Sequence, residues 1–275
     1  MLEITIRRLA GMDEYRAAEQ LQQDCWGSGP LDAVPAHLMV TLQHEAGLVL
    51  GAFTPKGRLV GFVLGFLGRE EERPKHCSHM AAVHPEYQGR GIAYRMKLAQ
   101  REFMLGAGLD LCTWTYDPLL AANATLNIAK LGAISREYRR DIYGQMNDAL
   151  NADLPTDRLY VRWEVRTERV RRCAETGQHV EAPVAGLVLN EVKLAGGLPW
   201  PASSRALPDE AALGISIPRG FLAVKAADAA AAREWRISTR ALFEAAFAAG
   251  YTVVNITPDP EQPELLARYT LLREG

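Results

Sequence analysis

No two cysteines of this 275-residue chain have the C-x-x-C spacing, and there are only four in all, Cys25, Cys77, Cys112 and Cys173. Thiols so scattered make neither a zinc site nor a disulfide frame, so they read as reduced, buried groups of a cytoplasmic protein, with no metal site expected. No apolar stretch reaches membrane-spanning length, and Met1-Leu2-Glu3-Ile4-Thr5-Ile6 lacks the basic start and apolar run of a secretion signal. A basic excess is missing too. The formal net charge of −2 argues against a nucleic-acid partner. The chain has no Gly-Lys-Ser/Thr nucleotide loop, and Tyr94 stands where the third glycine of a dinucleotide fingerprint belongs. What is present, 48% hydrophobic and 23% charged residues, can bury one large domain or two small ones.

The stretch from His79 to Phe103 organises the rest. Ser78 to Val83 is short, apolar and unbroken, as a strand buried on both faces is. His84-Pro85-Glu86-Tyr87 stops it, because proline removes a donor and restricts the residue before it; His84 belongs to that turn. A helix opens within Gln88-Gly89-Arg90-Gly91-Ile92-Ala93. Ile92, Met96, Ala99 and Phe103 give it an apolar face, and Arg95, Arg101 and Glu102 fall on polar sides. Two glycines at a helix start allow close approach of a ligand and point N–H groups and the helix dipole at it, which suits a pyrophosphate. Taken alone, the glycines are equally explained by the turn.

Before this stretch the pattern predicts a strand over Leu2–Arg7, a helix over Met12–Trp26 broken by Gly27-Ser28-Gly29-Pro30, a helix over Pro35–Glu45, and a hairpin of Gly47–Phe53 with Leu59–Leu67. Arg69 to Pro74 reads as a solvated charged loop. After it come a strand over Leu109–Thr115, a helix opened by Asp117-Pro118 and ended by Gly132, a short strand over Ala133–Tyr138, an irregular polar stretch to Asp157, and a strand over Leu159–Val165.

The segment V-x-P-x-x-Q-G-R-G-I-A closely resembles the acyl-CoA signature Q/R-x-x-G-x-G/A of the GCN5-related N-acetyltransferases, the GNAT superfamily. The order of predicted elements is similar to the GNAT fold over residues 1–165. The resemblance implies an α/β (α+β) domain with a mixed central sheet flanked by helices, binding acetyl-CoA or another short acyl-CoA such as succinyl-CoA. It also implies roles. The backbone of Ala81 and Val83 would pair with the pantetheine arm, the amides of Gln88, Gly89, Arg90, Gly91, Ile92 and Ala93 would take the phosphates, and splaying between this strand and the next, Leu109–Thr115, would admit the thioester.

Acyl transfer to an amine requires a placed carbonyl, a neutral amine and a stabilised leaving thiolate. His79 is the preferred base. Its imidazole titrates near neutrality, and its position resembles that of a histidine in the arylalkylamine branch of the superfamily; a histidine merely hydrogen-bonded in the sheet is the alternative. Asp117 is a second candidate base, equally explained as a helix cap. Asn123 to Ala133 resembles the family motif N-x-x-x-x-x-Y-x-K-x-G-F, which would bring Asn123 and Asn127 to coenzyme A. Ile128 stands where the family has a proton-donating tyrosine, and Ala133 where it has phenylalanine. Tyr116, Tyr138 and Tyr143 are the candidate substitutes. Trp114 to Ala133 further resembles a bacterial GNAT branch associated with amino-acid acylation from succinyl-CoA.

Residues 166–180 read as a linker. Residues 181–275 read as a smaller C-terminal α/β extension of β-β-α-β-β character: strands over Pro183–Leu194 and Leu213–Ile217 around a Pro- and Gly-rich stretch at 197–201, one long helix over Ala227–Ala249, and strands over Tyr251–Ile256 and Leu265–Leu272. The expected role of this extension is part of the acceptor pocket or a homodimer contact. The function expected is transfer from acyl-CoA to a small amine or amino acid, with no nucleic-acid or membrane partner. A non-catalytic acyl-CoA-binding regulatory module is the competing reading, favoured by Ile128.

Overall fold

The computed structural model describes residues 3–27, 32–45, 47–146, 148, 150–181 and 186–273. Leu2, Ser28 to Pro30, and the start of the strand expected at Pro183 lie outside the described residues. Two compact units form. One comprises Met1–Trp114, Asn147–Ala152 and Glu164–Arg166, the other Thr115–Met146, Asp153–Trp163 and Thr167–Gly275.

In the first unit, β1 (Thr5–Arg8), α1 (Met12–Trp26), α2 (Ala36–Glu45), β2 (Leu48–Phe53), β3 (Leu59–Glu70), β4 (Arg73–Val83), α3 (Ile92–Gly106) and most of β5 (Leu111–Tyr116) follow one another. The strand order is β1-β2-β3-β4-β5; pairing is antiparallel up to β4 and parallel from β4 to β5, with α3 as the crossover. Both faces of the sheet are covered, which is why β2 is apolar without alternation. Leu48 and Leu50 share a core with Val63, Ile92 and Met96 on the α3 side. Val49 and Phe53 join Phe62, Leu64, Tyr15, Leu21 and Met39 on the α1/α2 side.

The charged stretch 69–74 is not a free loop. Strands β3 and β4 run through it to a tight turn at Glu71 (φ 53°), and Arg73 is held by Asp110 at 2.8 Å and Glu164 at 2.5 Å.

The second unit holds α4 (Ala121–Ala124), β6 (Ile134–Arg139), most of β7 (Arg158–Glu164), α5 (Glu168–Thr176), β8 (Leu187–Val188), β9 (Asn190–Ala195), β10 (Leu198–Ser204), β11 (Ala212–Pro218), α6 (Phe221–Ala227), α7 (Ala229–Ala248), β12 (Tyr251–Pro258) and β13 (Leu266–Arg273). Its strands run in the order β7-β6-β12-β13-β11-β8, with β9 and β10 as a separate hairpin. Because β6 pairs with β12 through Ser135 and Val253, residues after Trp114 fold with the C-terminal residues, and the border between the two compact units falls within β5.

Two further elements differ from the sequence reading. Leu198 to Pro201, expected to separate strands, is itself a strand: Gly196 (φ 59°) and Gly197 (φ 81°) form a two-residue hairpin turn, and a two-stranded sheet has open edges that tolerate Pro199 and Pro201. The single helix expected over 227–249 is broken at Asp228, whose carboxylate accepts the N–H groups of Ala230 (2.9 Å) and Ala231 (3.0 Å) and so starts α7. Among the described residues no helix is long and apolar enough to cross a membrane.

Candidate active site

The pairing of β4 explains how its residues are displayed. Leu64 opposes Met80 and Gly65 opposes Ser78, so His79 is the extra residue of a β-bulge. One extra residue reverses the side-chain alternation. Before it, Ser78 turns toward α3; beyond it, Val83 packs on the α3 side, and Met80 and Ala82 on the α1/α2 side. His79 lies beside Phe66, with ring centroids 5.9 Å apart, and is open to solvent. By alternation Phe66 shares the face of Phe62 and Leu64, so His79 is on the opposite face from α3. Its neighbours strip part of its hydration, and this desolvation lowers its pKa below the ordinary 6.5.

The described pairing of β4 with β5 covers only His76 with Cys112 and Cys77 with Thr113. Beyond the bulge, the phase of the ladder with β3 is fixed by the His84 N–H donating to the Val60 carbonyl at 2.9 Å. Val83 with Gly61 and Ala81 with Val63 are therefore non-hydrogen-bonded pairs, and the N–H and C=O groups of Ala81 and Val83 turn away from β3. The Val83 carbonyl accepts the Gln88 side-chain amide at 3.0 Å, which ties the following loop to the strand end.

That loop begins with a 3₁₀ turn, Pro85–Tyr87, in which the His84 ring nitrogen Nδ1 accepts the Glu86 N–H at 3.3 Å. Gly89 (φ 72°) and Gly91 (φ 74°) follow. A Cβ at either would meet nothing within 4 Å, so the left-handed backbone and not crowding is what requires glycine. Gly91 is the N-cap of α3 and no side chain caps the helix, so Ile92 and Ala93 open it with N–H groups that no cap takes up. The Gln88 N–H is given to the Pro85 carbonyl at 3.3 Å, and its side-chain amide to the Val83 carbonyl. Arg90 and Arg58 lie 5.5 and 5.6 Å from the Tyr87 ring centre and add positive charge beside the loop. An extended backbone edge, an uncapped helix start and two arginines fit the amide-bearing arm and the pyrophosphate of coenzyme A.

Behind the bulge a polar network is sealed in the core. Lys97 of α3 is 4% exposed; its Nζ donates to Ser78 Oγ at 2.7 Å and Gln100 Oε1 at 3.0 Å and sits 3.8 Å from the Trp114 ring centre. Burial pushes its pKa down to about 8. The Gln100 amide donates to His76 Nε2 at 3.0 Å, leaving Nδ1 of the fully buried His76 without a partner. Burial, and then the nearby Lys97, push the His76 pKa down to about 4, and burial raises the Cys112 thiol to about 12. Sequence reasoning missed Lys97 and Arg58: with Gln100 and Arg101 at helical spacing after it, Lys97 reads as a solvent-facing residue.

The candidate groups after Trp114 belong to the second unit and are engaged there. Asp117 is not disposed as a base. It is buried, accepts the Leu119 N–H at 2.9 Å, and makes a two-pronged ion pair with Arg236 at 2.9 and 2.5 Å. Tyr116 is buried against Tyr269 (3.2 Å), and burial raises its pKa. Tyr138 donates to Asp157 at 2.8 Å, and burial followed by that carboxylate raises its pKa. Tyr143 differs: it is 49% exposed, with its hydroxyl 2.8 Å from Thr115 Oγ1. The helix expected to open at Asp117-Pro118 starts at Ala121 and continues as a π-turn over Thr125–Lys130, a form common at functional sites. On it Asn123 is exposed, whereas Asn127 and Ile128 are buried. The same unit has a cavity of about 390 Å³ lined by Arg233, Arg236 and Arg240 of α7 together with Asp141, Asp153 and Leu154.

No curated protein matches the chain. Among solved structures, the ribosomal-protein-S18-alanine N-acetyltransferase of Escherichia coli is 18% identical, with 60% of this chain and 96% of that one covered and a TM-score of 0.48. The NatC complex bound to Gag peptide and CoA gives 14%, 59%, 99% and 0.49, and the IAA acetyltransferase of Bacillus cereus ATCC 14579 gives 17%, 59%, 99% and 0.45. Residues 13–125 match the acetyltransferase (GNAT) family, so the domain that carries β4, the glycine loop and α3 belongs to the GNAT acetyltransferases.

Proposed function

We propose that the chain transfers a short acyl group, acetyl before succinyl, from acyl-CoA to the nitrogen of a small amine or amino acid. The observation that carries this reading is the edge of β4 beyond His79, where backbone groups turn away from β3 and lead directly into an uncapped helix start. Acyl-CoA supplies a thioester whose C–S bond breaks as the acceptor's C–N bond forms. The protein's part is to hold the arm along Ala81 and Val83, to take the phosphates at Gly89–Ala93, and to receive the acceptor's proton at His79, directly or through water. His79 suits this because a lowered pKa keeps it neutral at pH 7. Asp117 is committed to Arg236 and leaves the base role to the histidine.

The second unit, including residues 181–275, is assigned to acceptor recognition. Arg236 and Arg240 at its cavity are engaged by Asp117 and Asp157, so Arg233 and Asp153 are the charged groups there that suit the two ends of a zwitterion, which favours an amino acid over a simple amine. A non-catalytic acyl-CoA-binding role is the second reading, favoured by the fully buried Ile128 where a proton donor would stand.

Thiol release across an amine and amino-acid panel, with acetyl-CoA and succinyl-CoA, separates the two: turnover is expected, and binding without turnover for any acceptor would favour the second. His79→Ala should lower the rate by roughly 10²–10⁴-fold at neutral pH. The deficit should shrink as pH rises and free amine accumulates. In the wild type the rate should fall as pH drops through the histidine's own pKa, below 6.5. A His79→Ala rate within a few-fold of wild type would remove the histidine from the mechanism.

A further inference from the structure

Lys97 is the least expected group in the first unit. A lysine ammonium almost never lies in a core without a carboxylate beside it, because burying an unpaired charge is costly. Here the three donors of the ammonium meet a serine hydroxyl, a glutamine carbonyl and an indole face, and no described residue pairs with it as a carboxylate. The arrangement is complete as a hydrogen-bond set and uncompensated as a charge. Its titratable neighbours are His76 and Cys77 on β4 and Cys112 on β5. The imidazole is held neutral by burial and the Cys112 thiol is held protonated, so neither balances the ammonium. A leucine at this position would fill the space without that cost, so the charge calls for an explanation outside packing.

Its place supplies one. Ser78, the residue Lys97 grips, directly precedes the bulge residue His79 and follows Cys77, the last residue of β4 in the described pairing with β5. The network runs from Lys97 through Ser78 and Gln100 to His76, so it fastens α3 to β4 at the point where β4 leaves its neighbour and reverses its alternation. A bulge held on one side only by a ladder to β3 is free to slip by a residue, which would move His79 to the other face.

We propose that Lys97 is a positioning residue for acyl transfer: its ammonium, from the α3 side of the sheet, fixes Ser78 and hence the His79 bulge, and gives the parting edge of β4 a positive potential. The inference rests on the acyl-transfer reading. Negative charge builds on the acyl oxygen and the departing sulfur during transfer, and Ile128 offers no proton to neutralise it, so a fixed positive charge behind this edge favours the transition state. Lys97 keeps its proton throughout.

The test measures kcat against pH at saturating acyl-CoA, with an acceptor whose amine titrates well below neutrality, in wild type, Lys97→Met and Lys97→Arg. Below pH 8, Lys97→Met should lower kcat by about tenfold or more with the KM for acyl-CoA changed far less. The wild-type rate should fall as pH rises through about 8, where Lys97 loses its charge. Lys97→Arg, whose charge does not titrate in this range, should recover part of the rate and lose that alkaline fall. Lys97→Met with kcat within twofold of wild type, or an alkaline fall unchanged in Lys97→Arg, overturns the proposal; the arginine variant decides if the methionine variant does not fold. Should wild type bind acyl-CoA and transfer nothing, the acyl-transfer reading fails by itself. Hydrogen exchange of the 78–83 amides then still decides the positioning role. Faster exchange in either variant supports it, and exchange equal to wild type contradicts it.

Discussion

The polar groups of the β4–α3 segment and those that follow Trp114 are arranged in opposite ways. From the bulge onward, on the end of β4 and its loop, they are left open: His79 faces solvent, the N–H and C=O of Ala81 turn away from their only described partner strand, and α3 starts without a cap. After Trp114 they close on one another, Asp117 with Arg236, Tyr116 with Tyr269, and Asp157 with both Tyr138 and Arg240. Residues of the same chemical type thus do different work. An open group is available to a ligand, and a satisfied one holds the fold and is costly to disturb. Hydrogen-bond satisfaction, more than residue type, separates the candidates for chemistry from the candidates for stability.

The largest effect that probes this contrast is at the closed end. Asp117→Asn leaves Arg236, 2% exposed, with an unbalanced buried charge, and should cost about 3–5 kcal/mol in denaturant unfolding. His79→Ala should change stability by under about 0.5 kcal/mol, as an open group does. If Asp117→Asn kept wild-type stability and lost turnover, Asp117 would be an open, chemistry-bearing group and the contrast would break down.

A slightly smaller effect sharpens the comparison within the first unit, where the sealed network behind the bulge behaves like the closed groups. His76 has its pKa lowered from 6.5 to about 4 by burial. Between those values the unfolded chain binds a proton that the folded chain refuses, so stability is present above pH 6.5 and is lost as pH falls toward 4. The loss expected from this residue is about 3 kcal/mol. The difference in unfolding free energy between wild type and His76→Gln, followed from pH 7 to pH 4, measures it. A difference independent of pH would mean that His76 accepts a proton in the folded state.

The first unit was largely legible because its signals are local. A doubly buried strand, a proline stop, two glycines at a helix start and the Ile92–Met96 spacing all lie within one segment, and the hairpin of β2 and β3 announces itself by two apolar runs and a turn. What stayed hidden is set by partners distant in the chain or by one residue of register. The partner of Asp117 is Arg236, which no spacing rule links to it. The bulge at His79 depends on how β3 lines up, and a strand read alone carries no sign of it. Lys97 was illegible for a different reason: lysine on a helix predicts solvent, and only the serine, glutamine and tryptophan around it make the core position tolerable. In the second unit, proline misled at Leu198–Pro201 because open-edged hairpins accept it, and an alanine-rich run concealed the break that Asp228 makes.

Calorimetric titration of acetyl-CoA into wild type, Gly91→Ala and Gly91→Asp asks whether the loop between β4 and α3 is the coenzyme site. Alanine at φ 74° adds backbone strain alone, of about 1–2 kcal/mol, since its Cβ meets nothing, whereas aspartate adds a negative charge at the helix start as well. Wild type should bind, Gly91→Ala should bind somewhat more weakly, and Gly91→Asp should be weaker than Gly91→Ala by at least about tenfold, as a carboxylate opposing a pyrophosphate requires. Gly91→Asp binding acetyl-CoA as tightly as wild type would place the coenzyme elsewhere.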